Sequence, residues 1–212
     1  SRRAGREIII THAAARNLDT TTANTAGMRL TGEALEVVDD PEVTVIVELM
    51  GGYEPARSLA LRALANGKHV VTANKALIAR HGNEIFAAAH AAGMMVGFEA
   101  AVAGGIPIIK ALREGLAANH IQFAYGILNG TCNYILSRMT YEGLEFASAL
   151  SQAQQLGFAE TPPDLDIEGH DTAHKCQIVA SLCYSTQVDL KDIHVEGVTK
   201  VTHADVAYAR EL

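Results

Sequence analysis

Over residues 1–98, short apolar runs of strand length alternate with helix-length stretches, and this alternation constrains the fold more than any other feature. Ile8-Ile9-Ile10 reads as a buried strand, and Val43-Thr44-Val45-Ile46-Val47 as a second. Gly51-Gly52 follows directly. Pro55 suits the first residue of a helix through Ala65, and Asn66-Gly67 tolerates the left-handed backbone that ends one. His69 to Thr72 is a third strand, Gly82 to Ala92 a helix, and Met94 to Phe98 a fourth strand. Strands separated by helices in this order specify a parallel sheet wrapped by helices. Such sheets bind ligands at the carboxyl ends of their strands, which singles out Glu48 to Gly52, Thr72 to Lys75, and Glu99.

The rhythm changes after residue 99, and a domain boundary is expected within 98–106, giving domains of 1–98 and 99–212. Pro107 to Leu116 reads as helix and Ile121 to Leu128 as strand-like, so the second domain is expected to be α+β. Asn129-Gly130 is a turn from which Thr131 can cap a helix through Met139. Glu142 to Leu156 is a further helix ended by Gly157. An acidic loop, Glu160 to Glu168, then leads into an amphipathic helix from Gly169 to about Cys183. A polar Thr/Asn patch runs from Thr20 to Thr25.

Composition narrows the function. With 212 residues, 49% hydrophobic and 19% charged, the chain can bury a sizeable core and is not of disordered type. Twenty-four acidic against 17 basic residues give a net charge of −7, and no basic run occurs, which argues against a nucleic-acid or anionic-membrane partner. No apolar run approaches the ~18 residues of a membrane span. Cys132, Cys176 and Cys183 have neither CxxC nor metal-finger spacing and read as reduced, buried thiols of a cytosolic protein. The chain opens at Ser1 rather than at a methionine and reads as part of a longer protein.

Two motifs are decoys. Asp164-x-Asp166-x-Glu168-Gly169 opens like a calcium loop, but the twelfth residue, which should be a bidentate glutamate, is Lys175. His170-Asp171-Thr172-Ala173-His174 spaces two histidines one turn apart, yet Asp is a methylene short of the required base and a third ligand is lacking. Neither GxGxxG nor GxxxxGK[ST] occurs. Asn129 and Thr131 offer an amide and a hydroxyl at a turn that serves either as a plain helix start or as a substrate-facing loop.

The chemistry concentrates in Glu160, Asp166, Asp171 and Lys175. Asp171 and Lys175 stand four apart on one helix, so their side chains share a face. On a surface this is an ordinary ion pair. Beside an apolar wall, with carboxylates converging, the ammonium can bind a polar zwitterion and exchange protons with its hydroxyl or carbonyl. Lys75 follows the third strand near a helix start, where a cation either meets a phosphate or carboxylate or is simply solvated.

These residues lie in segments through which the chain resembles homoserine dehydrogenase over essentially its full length. The segments are Val70 to Lys75, Phe98 to Pro107, Gly126 to Leu136, Gly157 to Glu160, and Asp164 through Asp171 to Lys175. The resemblance implies a Rossmann-like α/β nucleotide domain followed by a substrate and dimerisation domain. It also implies NAD(P)-dependent interconversion of L-homoserine and L-aspartate 4-semialdehyde in threonine and methionine biosynthesis, by a cytoplasmic homodimer. On it, Lys175 exchanges the proton at the substrate oxygen. Glu160 and Asp171 bind homoserine with Asp166 in support, and Lys75, Thr72, Gly157 and Arg16 serve the cofactor. Glu99, Val102, Gly104 and Ile106 match the family's monovalent-cation site, where a carboxylate and backbone carbonyls suit sodium. The glycine-rich first strand-loop-helix is expected ahead of residue 1 and a return segment beyond Leu212. The rival expectations are another NAD(P) dehydrogenase of an amino acid or semialdehyde, and a non-catalytic assembly module.

Overall fold

The structure is a computed structural model that describes residues 4–18 and 24–211. Most of the Thr/Asn patch, residues 20–23, lies outside them. The chain divides into two compact units, residues 1–101 and 102–212.

The first unit is built on parallel strands. β1 (His12–Ala14) pairs with β2 (Arg29–Thr31), and a second sheet runs in the order β3 (Val45–Glu48), β4 (His69–Thr72), β5 (Val96–Gly97). Ile8 to Ile10 is not the first strand. These isoleucines are 60–67% exposed, and pairing starts at His12, opposite Arg29. A strand exists where a neighbour supplies hydrogen bonds, and hydrophobicity does not report that neighbour. β3 extends to Glu48, which the register sets opposite Thr72, so the two side chains meet at the carboxyl ends of adjacent strands.

Helices α1 (Ala34–Asp39), α2 (Ala56–Ala65) and α3 (Lys75–Ala92) belong to this unit. α2 starts and stops as its sequence signals indicate, with Pro55 as N-cap residue and Asn66 as C-cap. α3 begins seven residues before the expected Gly82, because the Asn74 side chain accepts the backbone N–H of Leu77 and caps it. Gly82 sits inside the helix, where a Cβ would approach the Phe86 ring to 3.2 Å. The core contains Leu59, Leu64, Val70, Leu77, Ile85 and Phe98. Lys68 is buried with its ammonium donating to the carbonyls of Asp40 and Val43, a cation on the C-terminal end of α1.

In the second unit the described residues form helices and no strand. α4 (Ile108–Lys110) continues as a π-helical turn, Ala111–Gly115. The expected strand at Ile121 to Leu128 is absent, and Phe123, Tyr125 and Ile127 stand exposed because no adjacent strand pairs with the segment. α5 (Gly130–Glu142) is capped by Asn129, not Thr131, and ends at Gly143 with φ 67°, which moves the start of α6 (Phe146–Gln155) from Glu142 to Phe146. The acidic loop contains a short helix, α7 (Asp164–Ile167). α8 (His170–Cys183) follows Gly169, whose φ of 84° and approach to the Glu196 carbonyl leave no room for a side chain. α9 (His203–Glu211) had no counterpart in the sequence reading. Ile135, Met139, Ala149, Ala153, Ala159 and Ile167 form the core.

Ile135 is fully buried on α5. Ile135→Ala is expected to destabilise this unit by about 2–5 kcal/mol, read as a lower midpoint in urea unfolding.

Candidate active site

α8 places Asp171 and Lys175 one turn apart on a face turned inward. The Lys175 side chain is only 18% exposed and that of Asp171 9%, so the surface ion-pair reading does not hold. Lys175 Nζ donates to Asp171 Oδ2 at 2.6 Å and to the Leu128 carbonyl at 2.7 Å. An ammonium carries three donors, and those two bonds leave one for a further acceptor.

Asn129 joins the second carboxylate to the first. Its Nδ2 donates to Asp166 Oδ1 at 2.7 Å and to Asp171 Oδ2 at 3.0 Å, while its Oδ1 accepts the Cys132 N–H at 2.7 Å. Asp166, Asp171 and Lys175 thus meet at one wall of a cavity of about 560 Å³. α5 adds Gly130, Asn133, Tyr134 and Ser137 to the lining, residues spaced at helical intervals. Phe158 also lines the cavity, its carbonyl accepting from Thr131 Oγ1 at 2.7 Å and its ring lying 5.0 Å from that of Tyr134. Two carboxylates against one ammonium leave the cluster with a formal charge of −1 when all three ionise, which suits a ligand bearing an ammonium group.

Glu160 is exposed and does not line this cavity; its backbone carbonyl accepts from Gln154 Nε2 at 3.5 Å. Gly157, φ 75°, terminates α6, its N–H donating to the Gln154 carbonyl. The sequence reading missed the bridging amide and the Leu128 carbonyl. Asn129 was marked only as a turn or loop residue, and a backbone carbonyl leaves no trace in sequence.

In the first unit the carboxyl ends of β3 and β4 are locked by a buried carboxylate. Glu48 accepts the Met50 N–H at 2.7 Å and the Thr72 hydroxyl at 2.6 Å, and Thr72 Oγ1 accepts the Asn74 N–H at 2.9 Å. Thr72 is 1% exposed with its hydroxyl committed inside the loop, so it shapes this edge and does not present a side chain there. Asn74 Nδ2 donates to the Gly52 carbonyl at 2.7 Å. Gly51 and Gly52, at φ 73° and 71°, carry the chain past the strand end with no side chain in the way. Lys75 is the first residue of α3, an 18-residue helix whose N-terminus opens at this edge. A helix N-terminus at the carboxyl ends of parallel strands is an arrangement that favours an anion. Arg16 is exposed two residues beyond β1.

Glu99 opens a 3₁₀ turn, Glu99–Ala101, at the end of the first unit, and Val102, Gly104 and Ile106 begin the second; Val102 is buried and Ile106 exposed. Among the described residues no group of three or more His, Cys, Asp or Glu side chains could hold a metal ion. No described helix is long and apolar enough to cross a membrane.

The first unit is a Rossmann-like nucleotide-binding fold, and the second carries a lysine–carboxylate pocket. Residues 4–99 match the family model for the homoserine dehydrogenase NAD binding domain, and residues 107–212 the model for homoserine dehydrogenase. The homoserine dehydrogenase of Pseudomonas aeruginosa is 51% identical over 212 residues, all of this chain and 49% of that protein. A crystal structure of the Thiobacillus denitrificans homoserine dehydrogenase superposes with a TM-score of 0.94 at 56% identity, covering 99% of this chain and 49% of that one. A hyperthermophilic archaeal homoserine dehydrogenase in complex with NADPH gives 0.73 at 29% identity, covering 80% and 52%. The chain belongs to the homoserine dehydrogenase family and spans about half the length of these relatives.

Cys132 reports on the charges of the pocket. Burial, then the Asp166 and Asp171 carboxylates, push its thiol up to about 11, against a smaller lowering by Lys175. At pH 8 about one thiol in a thousand is ionised, so iodoacetamide should label Cys132 slowly. Asp166→Asn removes one raising charge and should speed labelling; Lys175→Met removes the lowering charge and should slow it further. Mass spectrometry of the Cys132 peptide against time reads both.

Proposed function

We propose that the enzyme containing this chain interconverts L-homoserine and L-aspartate 4-semialdehyde with NAD(P). The observation that carries this reading is the Lys175 ammonium, held at 2.6 and 2.7 Å by Asp171 and the Leu128 carbonyl at the wall of an acidic pocket. In the direction of reduction, the remaining donor of protonated Lys175 meets the aldehyde oxygen and passes its proton to the oxygen as the alcohol forms. In the direction of oxidation, neutral Lys175 takes the hydroxyl proton. When bound, NAD(P) supplies the matching donor or acceptor of hydride.

Asp166 and Asp171 carry the charge that attracts the substrate ammonium, and Asp171 also keeps the lysine aimed. Glu160 joins substrate binding in this reading by its place in the family motif alone. The α3 N-terminus and Lys75 hold cofactor phosphate, the Glu48–Thr72 lock shapes that edge, and Gly157 permits close backbone approach to the cofactor. The proposed 2′-phosphate partner is Arg16, and the relative crystallised with NADPH supports use of NADP(H). The reading extends to a sodium ion held by Glu99 with the backbones of Val102, Gly104 and Ile106, donors of the hard-oxygen type. Domains of 1–98 for the nucleotide and 99–212 for substrate and dimerisation complete it, in a cytoplasmic homodimer of amino-acid biosynthesis. Three free cysteines, each half-buried and not buried as expected, accord with a reducing compartment.

In the full-length enzyme, Lys175→Ala should cut turnover by roughly 10²–10⁴-fold, the scale of lost general acid–base catalysis, with little change in cofactor affinity. Unchanged turnover takes Lys175 out of the chemistry. Lys75→Ala should instead raise the cofactor dissociation constant, measured by NADPH fluorescence; an unmoved constant contradicts its role. Assays of homoserine beside aspartate and related amino acids separate this activity from that of another amino-acid or semialdehyde dehydrogenase.

A further inference from the structure

We infer that Asn129 is a positioning residue for the lysine–carboxylate centre: its single carboxamide spaces Asp166 from Asp171 beneath Lys175 while it fixes the start of α5. The inference rests on the proposed proton role of Lys175.

The chemistry of the residue type carries the argument. A helix N-cap needs only an acceptor, and Ser, Asp or Asn serves almost equally well. Asn129 does more than cap. Its Oδ1 accepts from Cys132 N, and the same side chain donates to Asp166 on α7 and to Asp171 on α8. Serine has no donor pair, and aspartate would add a third negative charge at the same point. Glutamine is a methylene too long to cap with the same atoms. Asn is the side chain that accepts at the cap and donates twice beyond it.

The consequence reaches the ammonium directly. Asp171 Oδ2 accepts from both Asn129 Nδ2 and Lys175 Nζ, so the amide fixes the oxygen that aims the lysine. The carbonyl one residue earlier, Leu128, holds Nζ from another direction. Residues 128 and 129 therefore grip both members of the ion pair. Asn129 is 6% exposed and Asp171 7%, while Asp166 is half-buried at the pocket wall, so removing the amide leaves two carboxylates without the donor that lies between them. Asp171 would then turn from Asp166 and carry Nζ with it. A misplacement of about 1 Å at a reacting group can cost on the order of 10²-fold in rate.

The test uses the full-length enzyme with Asn129→Ser, Asp166→Asn and the pair combined. Asn129→Ser keeps a capping oxygen and loses both donors. The expected result is a kcat lower by roughly 10²-fold in protein that is still folded at the assay temperature, with the NADPH dissociation constant near wild type and a thermal midpoint that falls only moderately. Because the two side chains share one bond, the losses should combine less than multiplicatively. Asn129→Asp, which keeps the cap and adds charge, should fall at least as far as Asn129→Ser. Wild-type kcat in Asn129→Ser overturns the inference. A kcat loss that disappears once only the folded fraction at the assay temperature is counted reduces Asn129 to a cap and overturns it too, as do strictly multiplicative losses. A wild-type enzyme inactive on homoserine removes the functional reading and this inference together. An active one with an unimpaired Asn129→Ser variant removes this inference alone.

Discussion

The second unit is organised around one lysine held in a largely buried place. Its Nζ is held by the Asp171 carboxylate at 2.6 Å together with the Leu128 carbonyl at 2.7 Å, so its polar donors are matched where little water reaches them. Deleting one member of such a pair typically costs about 3–5 kcal/mol, because the other is left without its partner. The helices around it supply that arrangement. α8 presents both residues on one face, Gly169 lets α8 start against the 196 carbonyl, and α5 starts where its capping side chain reaches both carboxylates.

The first unit solves a related problem with a carboxylate. Glu48, 4% exposed, is satisfied by a backbone N–H and the Thr72 hydroxyl, and Thr72 in turn fixes Asn74, the cap of α3. One buried charge thereby sets the ends of two strands and the start of a helix. In both units a polar group removed from water is matched by short, directional bonds, and those bonds leave a rigid edge at which chemistry can be placed.

The parallel β3-β4-β5 sheet, α2 with its Pro55 and Asn66 boundaries, and α8 were legible because apolar periodicity and terminal residues report local structure. Ile8 to Ile10 and Ile121 to Leu128 were misread for a common reason. Both are rich enough in β-branched or aromatic residues to be strands, but neither finds a neighbouring strand among the described residues. The helix expected from Gly82 starts at Lys75, and Gly82 lies inside it, making room for Phe86.

Spacing alone gave the Asp171–Lys175 pair, since i and i+4 on a helix meet whatever surrounds them. Sequence also carried the family motifs and the acidic character of the pocket. Tertiary structure decided that the pair is buried, that Asp166 reaches it through Asn129 while Glu160 stays exposed, and that the Thr72 hydroxyl is spent inside its own loop. Local geometry is written in residue spacing. Desolvation and hydrogen bonds across 37 or 42 residues of chain exist only after distant segments have packed together.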